Sequence, residues 1–318
     1  TVNLAEPEIA GDVVFSGLIQ TAANGKRYGI NDLEVTFNGQ QGTGTDSTTL
    51  DAKISADADI DLDQDKATLT DFALSLHDFV VSGNLDVTAL SGDPSVAGSL
   101  KVAEFSPKSL LKQLGMEAPV TGNESALTKL KAEMSFSGSS SNVNMQDLVV
   151  NFDGSTLKGF FKMNDFEQPK LAFDFEIDEL NLDDYSDTGS SSGAKNTTAE
   201  SDVTVDDFRG LSGGGEFRIG KLVLSGLTAT NVSTTMNGNG AGIRFYPLNA
   251  DFYGGKHEGD IKVDATGSKP LLSADLGLSD VQAEALLEDL TGSARLLGKG
   301  DFFLKIQSDI RNADTSVQ

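Results

Sequence analysis

Leu171-Ala172-Phe173-Asp174-Phe175-Glu176-Ile177-Asp178 is the stretch that decides the fold class. Large apolar residues hold the odd positions and acids hold most of the even ones. Successive side chains of a strand point to opposite faces, so Leu171, Phe173, Phe175 and Ile177 share one face and the carboxylates the other. Working outward, the same alternation recurs at Phe72/Leu74/Leu76, Leu130/Ala132/Met134/Phe136, Leu148/Val150/Phe152 and Phe302/Leu304/Ile306. The pairs Asn38-Gly39, Asp153-Gly154 and Asn237-Gly238 carry hairpin-turn chemistry. Together these predict a mainly β protein: an elongated, curved antiparallel sheet built from degenerate strand repeats, with a few short amphipathic helices.

Two helices stand out. Ser106-Pro107 ahead of Leu110-Leu111 and Leu114-Gly115 reads as an N-cap, a first-turn proline, an apolar stripe and a closing glycine. Ser279 with Gln282 matches a capping box, followed by Ala283, Leu286, Leu287 and Leu290 on one face and a stop near Gly292. A weaker third helix is expected over Val203 to Leu211.

A degenerate repeat joins the pieces. Gly83, Gly159 and Gly259 each follow an apolar triplet: Phe72/Leu74/Leu76, Leu148/Val150/Phe152 and Leu248/Ala250/Phe252. A proline follows at 94, 169 or 270, and an apolar Phe105, Leu180 or Val281 comes next. Leu110-Leu111, Tyr185 or Leu286-Leu287 closes each unit. The unit reads strand, strand, strand, then a short helix or helix-like stop.

Composition narrows the function. The 318 residues carry a formal charge of −24, which repels nucleic acid and argues against electrostatic docking on anionic lipid headgroups. With 18 Phe, four Tyr and no Trp, the aromatics are almost purely apolar. There is no Cys, so disulfides and thiolate chemistry are absent. No apolar run reaches the ~18 residues of a membrane-spanning helix. The Ser/Gly/Thr-rich stretch 186–202 reads as a flexible linker, dividing a β-repeat region at 1–185 from another at 203–318.

No catalytic or metal-binding pattern survives inspection. The acidic run Asp57 to Asp65 lacks the Gly and Glu of a calcium loop, with Gln64 and Thr70 at those places; it reads as a solvent-facing acidic strand edge. Ser109-Leu110-Leu111-Lys112 spells a serine-enzyme motif without its companion motifs. His77 and His257 are the only histidines and lack ligand spacing. Gly213-Gly214-Gly215 and Gly238 to Gly242 precede no Lys-Ser/Thr, and read as hairpin turns or bulges. The chain is expected to be no enzyme and to carry no cofactor.

The segments Ala126–Gly138, Leu148–Gly159 and Phe173–Tyr185, with Phe217–Leu222, Pro247–Gly255 and Leu286–Gly292, resemble the AsmA family over most of residues 70–310. The long Ser/Gly stretch departs from the family pattern. The resemblance implies a periplasmic region of a Gram-negative envelope protein, tethered to the inner membrane by an anchor expected upstream. It also implies a role in outer-membrane biogenesis, with phospholipid and outer-membrane assembly components as partners. An apolar β groove could hold or conduct phospholipid, because a sixteen-carbon acyl chain in water costs on the order of 13 kcal/mol. Candidate lining residues are Phe72, Leu74, Phe152, Phe161, Phe173, Phe175, Phe252, Phe302 and Leu304. The same residues could equally form a closed core. The competing function is a scaffold acting on outer-membrane protein insertion through strand edges; a carbohydrate-binding repeat is disfavoured by the missing Trp.

Overall fold

A computed structural model describes residues 9–42, 47–186, 208–293 and 296–309. It forms two compact units, one of residues 1–119 and 125–153, the other of 120–124 and 154–318. The stretch 187–202 of the expected linker lies outside the described residues, as do residues 203–207 of the expected third helix. Phe208 to Gly210 form turns, and a strand begins at Ser212.

The first unit holds β1 (Ile9–Thr21), β2 (Arg27–Gln41), β3 (Thr48–Asp61), β4 (Lys66–Leu76), β5 (Phe79–Thr88), β6 (Ser95–Phe105), α1 (Pro107–Gln113), β7 (Leu130–Gly138) and β8 (Asn142–Phe152). Each strand pairs antiparallel with the next in sequence. The second unit holds β9 (Ser155–Asn164), β10 (Lys170–Asn181), a 3-10 turn (Leu182–Tyr185), β11 (Ser212–Leu224), β12 (Leu227–Asn239), β13 (Gly242–Phe252), β14 (Gly255–Asp264), β15 (Leu271–Gln282), α2 (Ala283–Thr291) and β16 (Lys299–Asp309). It too keeps sequence order, and β10–β11 is its one parallel pairing among the described residues.

The repeat maps onto these elements. Gly83, Gly159 and Gly259 lie in β5, β9 and β14; Pro94, Pro169 and Pro270 each stand one residue before β6, β10 and β15. After those third strands come α1, the 3-10 turn and α2. Ser106 caps α1, its hydroxyl accepting from the Ser109 amide at 3.2 Å. At α2 the capping box does not form. Ser279 belongs to β15, paired with Lys256, and Gln282 takes the N-cap position without a side-chain bond. Gly292 ends the helix in the left-handed conformation, φ +67°.

Several turn assignments fail for one physical reason. Asn38-Gly39 lies inside β2, Asn237-Gly238 inside β12 and Gly213-Gly214-Gly215 inside β11. These glycines serve close approach rather than reversal: a Cβ on Gly39 would meet the Phe37 ring at 2.4 Å, and one on Gly215 the Phe173 carbonyl at 2.0 Å. The acidic run ends β3, which is an interior strand between β2 and β4 rather than an edge. Its acids point away from Ala58 and Ile60, and Asp61 accepts the turn amides of Asp63 and Gln64 at 3.0 Å each.

The strands are bulged by a recurring device. Pairing slips by one residue at Ile30/Leu33 in β2, Leu69/Phe72 in β4, and between Gln146 and Val149 in β8. A left-handed Asp sits at each slip: Asp32 (φ 52°), Asp71 (φ 50°) and Asp147 (φ 50°). Asn231 in β12 and Asp280 in β15 repeat the geometry at φ 51° and 55°. In β13 the slip falls at the cis Tyr246-Pro247 bond instead. Neighbouring carboxylates satisfy some freed amides, as Asp57 does for Asp32 at 2.7 Å and Asp301 for Asp280 at 2.9 Å. Asp tolerates this conformation better than a β-branched residue does. Asp147→Val should therefore lower stability in chemical denaturation by about 1–2 kcal/mol. Asp147→Gly should change it much less, and equal losses in both variants would contradict the bulge account.

Candidate functional site

Paired residues of neighbouring strands project to the same face, so the registers sort every strand residue into one of two surfaces. In the first unit one row runs Phe15, Val35, Ile54, Leu74, Val81, Val102, Ala132 and Val150 from β1 to β8. Phe72 and Phe152 lie in adjoining rows, opposite Gly83 and Leu130. The reverse face carries Glu34, Lys53, Ser75, Ser82, Lys101 and Glu133. One side is apolar across all eight strands, and the other is mainly polar, with Val14, Val80 and Val149 among its apolar members.

The second unit repeats the division. One row reads Phe161, Phe173, Gly215, Met236, Phe245, Ile261, Ala274 and Ile306; the next reads Gly159, Phe175, Phe217, Thr234, Leu248, Gly259, Leu276 and Leu304. Phe302 faces Leu278, and Phe252 faces Ala229. Phe173 stacks on Phe175 at 5.2 Å and tilts against Phe217 at 4.8 Å. Within each unit, every candidate lining residue falls on the apolar face.

How far that face is covered differs between the units. In the first, the only hydrophobic residues buried among those described are Ala56 and Ala126. Phe72, Leu74 and Phe152 are half-buried. A closed core would bury large side chains, and here none is buried. In the second, Phe173, Val232, Val263, Val281 and Leu286 are buried, while Phe302 and Leu304 on β16 are exposed. α2 packs against β12 and β15, and the Tyr253 hydroxyl donates to Asp289 of that helix. Near the opposite strand ends, Arg209 donates to the carbonyls of Ala265 at 2.8 Å and Gly267 at 2.7 Å. The apolar face of the second unit is thus partly closed, and that of the first stands open.

The row mates Phe15, Val35, Ile54, Val81 and Val102 escape a search for strict alternation. The available signal is a change of parity within one strand. Apolar residues of β4 fall at 67 and 69, then at 72, 74 and 76; those of β8 fall at 143 and 145, then at 148, 150 and 152. Each switch marks a bulge.

The polar face is charged and locally paired. Arg218 binds Asp174 and Glu216, Lys305 binds Asp275 at 2.8 Å, and Lys53 binds Glu34 at 2.7 Å. These pairs are solvent-exposed, so screening leaves them little weight in stability. A hollow of about 740 Å³ on this face is lined by Thr235, Asn237, Arg244, Asp260 and Lys262. Among the described residues no three His, Cys, Asp or Glu side chains gather as a metal-holding group, and no helix is long and apolar enough to cross a membrane.

Several acids are held below the ordinary carboxylate range. The Thr266 hydroxyl and amide, then Lys262, hold Asp264 down; Arg244 lowers Asp260; Lys256 and Asn231 lower Asp251. Burial on the apolar face pushes His257 below its ordinary 6.5. All four groups bind protons less readily folded than unfolded, so the unfolded chain takes up protons first as pH falls. The stabilisation is present above each unfolded value and is lost below it. Denaturation midpoints should therefore drop first below about pH 6.5, from His257, and again below about pH 4, from the acids. His257→Gln should remove the first step, and a midpoint constant from pH 7 to 3 would contradict both.

The AsmA family model matches residues 13–313. No curated protein and no solved structure matches the chain. The match extends from β1 to beyond β16, taking in both apolar faces and all three copies of the repeat. The chain belongs to the AsmA family, a family of envelope-associated proteins.

Proposed function

We propose that this chain is a non-enzymatic periplasmic segment that holds or conducts phospholipid, gripping the acyl chains on its apolar sheet face. The observation that carries the proposal is the open face of the first unit. Eight strands present Val, Leu, Ile and Phe on one side, and no large side chain there is buried. Such a surface in water is costly unless something apolar lies on it, and contiguous exposed patches of this kind mark binding sites. An acyl chain suits it because both surfaces are apolar along their length. A sixteen-carbon chain recovers on the order of 13 kcal/mol on leaving water.

The polar face supports the same reading. Its acids and paired cations keep the sheet solvated on one side, while the other side remains free for lipid. Membership of an envelope family supports this reading, on which the chain works between the membranes, tethered to the inner one, and serves outer-membrane biogenesis. Assembly components of the outer membrane would be its neighbours there.

Protein isolated from its native envelope should carry phospholipid, chemically unaltered, in native mass spectrometry. Leu74→Asp places a charge in the middle row of the open face and removes a leucine contact worth about 1.5–3 kcal/mol. Bound lipid should fall about tenfold or more while far-UV circular dichroism is unchanged. Ser75→Asp, on the opposite face, should leave lipid content as it is. A chain that arrives lipid-free and fails to take up fluorescent phospholipid from vesicles would refute the proposal.

A further inference from the structure

We infer that the polar face of the second unit carries a site for an uncharged saccharide, in the hollow of about 740 Å³ over β12, β13 and β14. Each of these strands is hydrogen-bonded on both sides, so the hollow owes nothing to a sheet edge. It lies where pairing is irregular. The register slips between Thr234 and Met236 of β12, and between Phe245 and Leu248 of β13. Bulges bend strands, and Thr235 and Tyr246 stand at these two slips on the polar side. Gly242, paired with Asp264, adds no side chain to the grid.

A site of this size usually has apolar walls and a few polar groups. Here amide, hydroxyl, carboxylate and guanidinium groups predominate, so the matching ligand carries hydrogen-bonding groups around its whole outline. Charge narrows the choice. Arg244 grips Asp260 through Nε at 2.8 Å and through Nη2, and Lys262 reaches Asp264 at 2.9 Å. Two cations and two acids cancel inside the hollow, so neither a phosphate nor an ammonium group finds an unopposed partner there. The same pairs hold their side chains in place, and the Thr266 hydroxyl adds a bond to Asp264 at 2.6 Å. Less rotamer freedom is then lost on binding.

The groups left to meet a ligand suit hydroxyls. The side chains of Thr235, Asn237 and Tyr246 have no hydrogen-bond partner among the described residues. An amide or hydroxyl both donates and accepts, as a sugar hydroxyl does. Tyr246 supplies the apolar contact: its ring is 47% exposed, with the Arg244 guanidinium 4.5 Å from its centroid. The C–H face of a sugar ring packs on such an amphipathic aromatic while the hydroxyls at its rim reach the amides. The absence of Trp speaks against a repeated carbohydrate platform, not against one hollow built round a tyrosine.

A glycan array carrying neutral and acidic oligosaccharides, probed with the whole chain, should retain the protein on neutral sugars. Calorimetry with the best neutral sugar should give a dissociation constant below about 1 mM. Asn237→Ala and Tyr246→Ala should each weaken binding about tenfold or more with circular dichroism unchanged, as removal of a central contact does. Tyr246→Phe should retain most of the affinity. Ser233→Ala, on the same face of β12 but outside the hollow, should retain all of it. No binding to any neutral sugar would overturn the inference, as would binding confined to acidic sugars or unchanged affinity in both alanine variants. The site is independent of the apolar face, so lipid content measured on the same samples bears on the proposed function alone.

Discussion

The period of two in a β-strand leaves no tolerance for a single extra residue: one insertion turns every later side chain to the other face. These strands are long, from nine to fifteen residues, and many carry such an insertion. The faces remain sorted because the apolar pattern changes parity where the backbone bulges. In β2 the inward residues are 28 and 30, then 33, 35 and 37, with left-handed Asp32 at the change. In β13 they are 243 and 245, then 248, 250 and 252, with the cis Tyr246-Pro247 bond at the change. Sequence pattern and backbone geometry shift together, and the continuity of each apolar face depends on that agreement. Bulges also bend and twist strands, so the same residues that restore register shape the surface.

A sheet sorted in this way has one mainly hydrophobic side, and among the described residues of the first unit no large side chain on it is buried. Its cohesion rests on ladder hydrogen bonds and on contacts between neighbours within the face. Glycine contributes by omission. A Cβ on Gly98 would meet the Asn84 carbonyl at 2.1 Å and the Phe136 ring at 3.1 Å, so its absence lets strands and rings approach. The second unit covers its face further. Val281 and Ala283 bring the end of β15 and the start of α2 into a small buried cluster with Leu286. That helix follows the third strand of a repeat, and the corresponding place in the first unit is taken by α1. There the short helix buries none of its residues, and its Gln113 reaches to Asp78 at 3.2 Å. The same repeat element therefore seals in one unit and merely decorates in the other.

Much of this was legible before any coordinates. Alternation around Phe173 gives the strands, and the Gly/Pro/apolar spacing gives the three-strand unit and its helical stop. What escaped depended on neighbours distant in sequence. Asn38-Gly39 and Asn237-Gly238 have the local chemistry of a turn, but the ladder runs straight through them because pairing and close approach outweigh dipeptide preference. Ser279 and Gln282 satisfy a capping box in spacing, yet Ser279 is held in β15 by its pairing with Lys256. The apolar face was half visible for the same reason. Triplets such as Phe72/Leu74/Leu76 stand out, while Ala67 and Leu69 on the same strand fall on the other parity and look unrelated until the bulge at Asp71 is known. Whether a face is open or closed is a property of what lies over it, which periodicity does not encode.

The distribution of charge then constrains what an open face could hold. Several cations on the polar side are engaged by acids, as Arg218 is by Asp174 and Glu216, and Lys305 by Asp275. The net −24 gives no attraction for an anionic headgroup. On the proposed reading the free energy of holding a lipid comes from acyl contact alone, spread over many weak side-chain contacts. A hold of that kind has no single deep site. A chain displaced by one residue spacing along a row meets another Val, Leu or Phe at nearly the same energy, so movement along the face meets low barriers while departure into water meets the full hydrophobic cost. Holding and conducting are then two consequences of one surface, and the parity switches that keep the rows unbroken make both possible.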